Sequence, residues 1–381
     1  MKILFCGSVL PEEAETKLQY LSNAGNRFQQ NLINALKESG HDVFVCSYIG
    51  FPVEQDYLDE LEKFHSDNQA YVFKDSEGVL GAVSVYRRKC SAIMSGQKID
   101  MIMCYNPIYA FSSVASLAGK RNIPNILILA DHSGVDSYTS FSPGQLKGII
   151  RSYLEQKCIR KFDRVVGLSG NVAGLLRKGQ LFQHIEGGLD MSRWENFQRP
   201  ETGSEIKNIM YGGLLSKVAG VDIAINAFRN IPDDHIRLHI TGNGDMVDYV
   251  KEQAGIDKRI IFHGRLQYEE YLGLLQQSHI LLNPRNMNLP ENRNNFPSKM
   301  LEYIATGRVI VSSKFAGWQD FEQCAFFTDM EDFSGGMKKA LAGYDEIAET
   351  VFESNRAFAK DFDWKKQAEK ILRLENYDLQ K

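Results

Sequence analysis

Apolar and polar positions follow two patterns along this chain, and the two alternate repeatedly. Short apolar runs such as Lys2–Gly7 are typical of buried strands. Stretches such as 25–39, in which Phe28, Leu32 and Leu36 recur at helical spacing, are typical of amphipathic helices. Repeated strand–helix alternation is typical of βαβ units, so the pattern predicts an α/β fold with parallel sheets.

The boundaries of most elements follow from these patterns. The predicted strands cover residues 2–7, 42–47, 99–105, 125–131, 164–169, 182–186, 208–213, 236–241, 259–264, 280–283 and 308–313. The predicted helices cover residues 25–39, 109–120, 144–161, 221–230, 268–276, 297–306 and 361–379. Residues 50–97 mix charged and aromatic positions without a clear period, so no element is predicted there.

A polar segment at 190–207 separates two similar halves of the chain. It contains Arg199, Pro200 and Gly203, which are residue types common in linkers. We therefore expect an N-terminal domain at 1–195 and a C-terminal domain at 196–360. The C-terminal helix, 361–381, is expected to pack on the N-terminal domain.

Composition excludes several classes of protein. The 381 residues are 43% hydrophobic with a formal net charge of −4, which argues against a disordered chain and against a nucleic-acid binder. No apolar run is long enough to span a bilayer, and the run after Lys2 is too short for a signal peptide. The six cysteines lack metal-ligand spacing and are expected to be buried thiols. We expect a cytoplasmic protein, at most peripheral on the inner face of the cell membrane.

The start of the predicted helix 297–306 is the strongest candidate for a ligand site. Pro297 suits the first helical position, so the amides of Ser298, Lys299 and Met300 would lack helical acceptors. Such amides and the positive end of the helix dipole attract anions, and Lys299 would add a full positive charge. A diphosphate is the expected guest.

Glu302 lies one turn further along the same helix. Its carboxylate could accept hydrogen bonds from two adjacent hydroxyls, such as those of a ribose. The alternative is that Lys299 and Glu302 form an exposed pair that stabilises the helix by only tenths of a kcal/mol.

Three other strand ends carry candidate residues. Gly213 would allow close backbone approach, and Ser216 and Lys217 could reach an anion, although a flexible loop with a surface lysine explains them as well. Gly242 lies in a Gly-Asn-Gly turn that matches only part of a dinucleotide fingerprint. Arg265 follows a strand whose end could present backbone groups to a planar base.

The first half also offers candidates where predicted strands end or helices begin. Asp131 and His132 end a very apolar strand, where a substrate could reach them, although a single histidine is more often structural. The basic helix 144–161 is either a solvated face or a contact for anionic lipids. The remaining candidates are Gly25, Asn26, Arg27, Gly187 and Gly188.

The sequence NNFPSKMLEYIATG at 294–307 resembles a motif of nucleotide-sugar glycosyltransferases of the GT-B fold. Residues 212–228, 238–245 and 261–265 follow the same group in order and spacing, and GNRFQ at 25–29 resembles its opening segment. Within that fold the likeness is to glycosyltransferase family 4, in the type found among bacterial capsule and exopolysaccharide transferases.

The resemblance implies two Rossmann-like domains that face each other across a cleft, with the acceptor on the first and the donor on the second. It implies a nucleoside-diphosphate sugar donor of the UDP or GDP type and no other cofactor. No D-x-D-type acidic pair stands at a convincing strand end, so we expect no metal, with the catalytic role of a cation taken by Lys299, Lys217 and the helix dipole. Glu302 would hold the ribose, and Asp131 or His132 would lie near the reacting carbon. The implied donor-binding residues are Gly213, Ser216, Lys217, Gly242, Arg265, Asn294, Pro297, Ser298, Lys299 and Glu302.

The sequence departs from the family pattern at three positions. The first acid of the family's E-x(7)-E motif falls at Asn294, so contacts to the transferred sugar are expected to differ. The basic residues that many relatives carry after the first strand of the second domain fall at Leu214 and Ala219. We expect Lys217 to take over part of their task.

The resemblance further implies retention at the anomeric carbon and transfer to a glycan or lipid-linked acceptor in cell-surface polysaccharide biosynthesis. Contact with inner-membrane lipids is compatible with that role. Three alternatives remain. One is a sugar-nucleotide epimerase or phosphorylase of the same fold, and another is a degenerate transferase kept as a partner subunit. The third is a two-lobed small-ligand binding protein, which would need an export signal.

Overall fold

The computed structural model describes residues 1–11, 23–50, 68–73, 78–130, 143–168, 172–289, 292 and 297–373. The chain divides into two compact units. Unit 1 comprises Met1–Gly188 together with the C-terminal segment that begins at Trp364, and unit 2 comprises Leu189–Asp363.

Unit 1 is built on a parallel sheet. Among its described residues, seven strands are ordered β3-β2-β1-β4-β5-β6-β7. The strands are β1 (Lys2–Gly7), β2 (Asp42–Ile49), β3 (Gln69–Phe73), β4 (Met101–Tyr105), β5 (Asn125–Leu129), β6 (Arg164–Gly167) and β7 (Leu181–His184). The helices are α1 (Asn23–Glu38), α2 (Gly78–Gln97), α3 (Tyr109–Lys120), α4 (Pro143–Ile159) and α11 (Trp364–Leu372).

Both faces of this sheet are covered by apolar side chains, which is why its strands are apolar throughout. On one face α2 and α3 bury Tyr86 and Phe111. On the other face α1 and α11 bury Leu32 and Trp364. The buried Arg164 guanidinium attaches α11, because it donates to the carbonyl of Ile371 at 2.8 Å and to a second carbonyl just beyond the helix.

Unit 2 repeats the same plan. Among its described residues, six parallel strands are ordered β10-β9-β8-β11-β12-β13. The strands are β8 (Lys207–Leu214), β9 (Ile236–Asn243), β10 (Ile260–Phe262), β11 (Ile280–Asn283), β12 (Val309–Ser313) and β13 (Phe326–Thr328). The helices are α5 (Val221–Arg229), α6 (Val247–Ile256), α7 (Tyr268–Gln277), α8 (Lys299–Thr306), α9 (Phe333–Ala342) and α10 (Tyr344–Ala359).

The sheet of unit 2 is also packed on both faces. Helices α5 and α9 bury Phe228 and Met337 against one face. Helix α8 buries Met300, Tyr303 and Ile304 on the other. This packing fixes the position of Lys299, the first residue of α8.

The α/β fold predicted from the sequence is confirmed, and several elements were missed. The region 50–97, predicted to be irregular, contains β3 and α2. Helix α2 is long, but its apolar residues are not concentrated on one side, so the helical period is weak in the sequence. The final helix was predicted at 361–379; it begins at Trp364 and is described to Leu372, and residues 374–379 of the prediction lie outside the described part of the chain.

Each sheet reverses its winding direction between two central strands. In unit 1 the reversal lies between β1 and β4, and in unit 2 between β8 and β11. Loops that follow two such strands run in opposite directions, so a crevice opens beyond their carboxyl ends, and ligands bind there in open α/β sheets. The described helices include none with the length and apolarity needed to cross a membrane.

Candidate active site

A cavity of about 190 Å³ lies at the reversal point of unit 2. It opens at the carboxyl ends of β8 and β11 and at the beginning of α8. Two strand ends and one helix start therefore contribute to a single space, as expected for a ligand site of this fold. Its lining residues are Tyr211, Gly212, Leu214, Val218, Ala219, Leu282, Asn283, Arg285, Pro297, Ser298 and Lys299.

The Lys299 side chain lies along the end of β8. Its ammonium donates to the Gly212 carbonyl and lies 5.6 Å from the centroid of the Tyr211 ring. A Cβ on Gly213 would overlap the Lys299 ammonium, and Gly213 has φ +136. Only glycine adopts that conformation readily, so Gly213 both shapes the strand end and leaves room for the lysine. The sequence indicated that another group could come close to the backbone of Gly213, and in the structure the Lys299 ammonium does so.

Gly242 supports the same strand end from β9. Its φ is +141, and a Cβ there would overlap the Gly213 carbonyl. The two glycines are partners in the register of β8 and β9. Gly242 therefore acts through Gly213 in this structure, and the cavity lining does not include it.

Burial changes the electrostatics of Lys299. The pKa of its amine is lowered from 10.5 to about 8. Desolvation is the main cause, the Glu302 charge raises the pKa, and the Arg285 charge lowers it. The charged form is therefore disfavoured while no anion is bound. An anion in the cavity would stabilise the charged amine and so compensate for its desolvation, which is the behaviour expected of an anion-binding lysine.

Arg285 is a cavity residue that the sequence analysis missed. It follows β11 by two positions and is half-buried. Burial lowers the pKa of its guanidinium. No local pattern distinguishes Asn283-Pro284-Arg285 from an ordinary strand end, and only the adjacency of β11 and β8 brings Arg285 to the cavity.

The start of α8 differs in one detail from the prediction. The Met300 amide donates to the Pro297 carbonyl at 2.8 Å, so it is not available to a ligand. Within the described residues, the amides of Ser298 and Lys299 have no hydrogen-bond acceptor. The helix begins at Lys299, after the exposed Ser298, so its free amides lie beside the cavity.

The other predicted donor residues lie in different environments. The Ser216 hydroxyl accepts from the Ala219 amide at 3.2 Å, so it stabilises its own turn. Lys217 and Arg265 are exposed, and Glu302 is half-buried on α8. Asn294 lies outside the described residues.

The predicted residues of unit 1 are mostly structural where they are described. The buried Asn26 side chain accepts from the Leu10 amide at 2.9 Å and donates to the Leu10 carbonyl at 3.2 Å, which fixes the chain after β1. Gly25 and Arg27, its neighbours at the start of α1, are half-buried. Asp131 and His132 lie outside the described residues.

The two glycines after β7 also have structural explanations. Gly187 has φ +111, and a Cβ on Gly188 would overlap the Trp364 ring of α11. Both glycines therefore allow the end of unit 1 to pack against its C-terminal helix.

The described residues contain no cluster of three or more His, Cys, Asp or Glu side chains placed to hold a metal ion. All six cysteines are free and buried.

Two protein-family models match the chain, one in each unit for most of its length. The model for Glycosyltransferase Family 4 matches residues 25–193. The model for Glycosyl transferases group 1 matches residues 206–342, which include the whole lining of the cavity. No curated protein sequence gives a significant match.

Solved structures with the same fold cover almost the entire chain. The sucrose-phosphate synthase (tll1590) from Thermosynechococcus elongatus is 15% identical with a TM-score of 0.71, and 98% of each chain is covered. The lipopolysaccharide outer core galactosyltransferase WaaB is 14% identical with a TM-score of 0.63, covering 98% of this chain and 99% of that one. A trehalose-6-phosphate structure from E. coli, bound with UDP-2-fluoro glucose, is 12% identical with a TM-score of 0.63, covering 98% and 100%.

These similarities agree with the architecture. At such low identity the solved structures establish the fold, and the two family models establish the class of enzyme. The capsule and exopolysaccharide type suggested by the sequence is a finer assignment that these matches do not reach. The chain is a glycosyltransferase of the GT-B type.

Proposed function

We propose that this glycosyltransferase moves a sugar, a hexose in the simplest case, from a nucleoside diphosphate of the UDP or GDP type to a hydroxyl group of its acceptor. The cavity of unit 2 is the proposed donor site, with Lys299 and the amides of Ser298 and Lys299 at the diphosphate. Glu302 is the proposed ribose ligand, one turn along α8. The UDP-2-fluoro glucose held by the similar E. coli structure supports a nucleotide-sugar donor.

The observation that carries this proposal is the desolvated ammonium of Lys299 at the start of α8. Holding a lysine in a site that lowers its pKa to about 8 costs stability unless an anion compensates it. The free amides at the start of α8 add to the positive electrostatic potential of the Lys299 ammonium. A diphosphate supplies several acceptor oxygens and more than one negative charge, which fits both features.

The proposed chemical step is transfer with retention of configuration. The bond between the anomeric carbon and the diphosphate oxygen breaks, and the acceptor oxygen forms a bond to the same face of that carbon. The leaving phosphate oxygen takes the acceptor proton, so charge and atoms balance. Negative charge develops on the diphosphate, where positioned donors stabilise it most effectively. Asp131 or His132 is proposed near the reacting carbon.

The acceptor is proposed to be a glycan or a lipid-linked glycan of a cell-surface polysaccharide. The similarity to the lipopolysaccharide galactosyltransferase WaaB supports this assignment. The first unit, which the Family 4 model matches, is the proposed acceptor-binding unit.

A contact with anionic membrane lipids is proposed on unit 1. Ile150, Tyr153 and Leu154 on α4 expose 52%, 53% and 55% of their surfaces, and they lie at helical spacing. The Lys157 ammonium lies 4.6 Å from the centroid of the Tyr153 ring, so positive charge borders the apolar face. Exposed apolar residues beside basic ones favour an anionic membrane surface. Co-sedimentation should show binding to vesicles containing phosphatidylglycerol and loss of that binding in a Tyr153→Ser, Leu154→Ser variant.

Ligand-dependent thermal unfolding tests the donor site directly. UDP, GDP and their sugars are added separately, and a specific ligand at 100 times its dissociation constant should add about 2.7 kcal/mol to the free energy of unfolding. Lys299→Ala should abolish most of that effect and reduce turnover by about 100-fold or more, by analogy with the removal of oxyanion donors. Lys338→Ala, which removes an exposed lysine on α9, is the matched control. Equal ligand effects in wild type and Lys299→Ala would contradict the proposal.

Turnover assays separate transfer from the alternatives. A transferase needs an acceptor and releases the nucleoside diphosphate. Interconversion of nucleotide sugars without an acceptor would instead indicate an epimerase, and dependence on phosphate would indicate a phosphorylase.

A further inference from the structure

The cavity of unit 2 has apolar residues at the two positions where the resemblance to the family implies basic ones. These residues are Leu214 and Ala219, and both line the cavity. Lys217, between them, is exposed and is not part of the lining. The loop after β8 therefore contributes apolar side chains and backbone to the cavity wall. Positive charge reaches the same space from Arg285, after β11, and from Lys299, at the start of α8.

The backbone around Arg285 is held in place by several contacts with the loop after β8. A Cβ on Gly220, which has φ +78, would overlap the Pro284 carbonyl. The buried Asn292 side chain donates to the carbonyls of Val218 and Asn286, each at 2.7 Å. These contacts join the two loops.

Strand β12 fixes the other side of the same segment. The Ser313 hydroxyl donates to the Arg285 carbonyl at 2.9 Å. The Asn283 side chain donates to the Ser312 hydroxyl at 2.9 Å, at the end of β11. A guanidinium attached to a backbone fixed on both sides loses less conformational freedom when a ligand binds.

Arg285 and Lys299 both line the cavity. The nearby Arg285 charge is one of the causes that lower the pKa of the Lys299 amine, after burial. Burial also lowers the pKa of Arg285. Two partly desolvated positive charges that converge on one space are stabilised together by a ligand that carries more than one negative charge.

We propose that Arg285 binds the diphosphate of the donor. It takes over the role of the basic residues that the family pattern has where this chain has Leu214 and Ala219. This inference rests on the proposed function of the cavity and adds a residue to it. The planar guanidinium can donate two parallel hydrogen bonds to phosphate oxygens, whereas the Lys299 ammonium acts as a point charge. Arg285 therefore orients the diphosphate, and Lys299 stabilises the charge that develops on it.

Binding measurements with three probes test this assignment. The probes are UDP, GDP and inorganic pyrophosphate, titrated against wild type and Arg285→Met by calorimetry. Methionine keeps an unbranched side chain like the aliphatic part of arginine and removes the guanidinium with its charge. Loss of a hydrogen-bonded charge costs about 10- to 100-fold in affinity, and we expect that loss for pyrophosphate and for whichever nucleotide the wild type binds. The affinity of Arg285→Lys should lie between those of the wild type and Arg285→Met, because lysine keeps the positive charge but cannot donate two parallel hydrogen bonds.

The control removes an arginine from the other end of the sheet. Arg237 is half-buried at the beginning of β9 and donates to the carbonyls of Asp234 and Ile236. Arg237→Met should bind all three probes as the wild type does. Comparing the thermal unfolding of the ligand-free variants shows whether Arg285→Met is folded.

A rescue variant tests the replacement itself. Leu214 is 57% exposed and borders the cavity, so an arginine can be placed there without disturbing the core. Adding Leu214→Arg to Arg285→Met should recover most of the lost affinity. Unchanged affinity in both Arg285→Met and Arg285→Lys would overturn the role of Arg285 and leave the donor site intact. If the wild type binds neither nucleotide, the proposed function itself fails, and this inference fails with it.

Discussion

The two units have the same architecture and differ sharply at the corresponding edge of their sheets. In unit 2 the carboxyl ends of β8 and β11 meet a cavity lined by Lys299 and Arg285. In unit 1 the described side chains at the ends of β1 and β4 include neutral carboxamides that hydrogen-bond to the protein's own backbone. The Gln29 side chain accepts from the Ser8 amide at 3.0 Å, and the Asn106 side chain accepts from the Ala130 amide at 2.9 Å.

This difference separates what the fold determines from what side chains determine. Reversal of the winding direction provides a possible ligand site in each sheet. Side chains then decide the charge and the solvation of that site, and function depends on them. In unit 2 they create a desolvated positive field, and in unit 1 the described side chains at the equivalent edge stabilise loops.

The largest effect is expected from Gly213→Ala, because the new methyl group would occupy the position of the Lys299 ammonium. We expect UDP or GDP affinity and turnover to fall by about 100-fold or more, since both the strand end and the lysine are displaced. Gly203→Ala is the matched control in the same unit. Gly203 also has a positive φ, +71, but nothing lies within 4 Å of its added Cβ. Equal nucleotide binding by both variants would show that the strand end does not position Lys299.

Asn26→Ala probes the corresponding edge of unit 1. Its side chain is buried and makes a hydrogen bond to each backbone group of Leu10. Gln30 also donates to the Leu10 carbonyl, so removal of the Asn26 side chain leaves the Leu10 amide unsatisfied. We expect the free energy of unfolding of unit 1 to fall by about 1–3 kcal/mol. Nucleotide affinity should not change, because the donor site belongs to the other unit. A large loss of UDP or GDP affinity in a folded Asn26→Ala protein would contradict the assignment of the donor to unit 2.

The sequence could predict those features of the site that neighbouring residues in the chain determine, and not those that depend on residues far apart in the chain. The Pro297–Gly307 pattern is local, so the helix start and the position of Lys299 could be predicted from it. Arg285 reaches the cavity because β11 pairs with β8, a contact between residues far apart in the chain. Local patterns do not carry that information, so the sequence pointed to Lys217, which is close to Gly213 in the chain, and not to Arg285.

The elements of the fold show the same limit. Strands such as β1 and β11 are apolar runs with clear ends, and the sequence predicted their boundaries. Helix α2 and strand β3 are held by packing against their neighbours in unit 1, and their own patterns are weak. The order of strands in either sheet could not be read from the chain, although it determines where the sites lie.

The pH dependence of nucleotide binding tests whether the charge of the desolvated Lys299, which distinguishes unit 2 from unit 1, contributes to nucleotide affinity. The pKa of Lys299 in the free protein is about 8, and a bound anion stabilises the charged amine and so raises that pKa. Affinity should therefore be constant below pH 8 and fall above it, by about tenfold per pH unit until the pKa of the bound form is reached. Calorimetry with UDP or GDP between pH 7 and pH 9.5 measures this effect.

The control for that experiment is Lys299→Arg, since arginine stays charged throughout the range. Its affinity is expected to be lower than that of the wild type but nearly independent of pH. A wild-type profile that stays flat to pH 9.5 would show that the charge of Lys299 is not coupled to ligand binding.

Chelation of divalent metals is the prediction with the smallest expected effect. If Lys299, Arg285 and the helix start supply the positive field that the departing diphosphate needs, a metal ion adds nothing to it. EDTA should then leave turnover unchanged, and turnover measured with added Mg²⁺ or Mn²⁺ should match it. A strong loss in EDTA that Mn²⁺ restores would assign part of that field to a metal ion. The charges in unit 2 would then position the donor and leave the stabilisation of its leaving group to the metal.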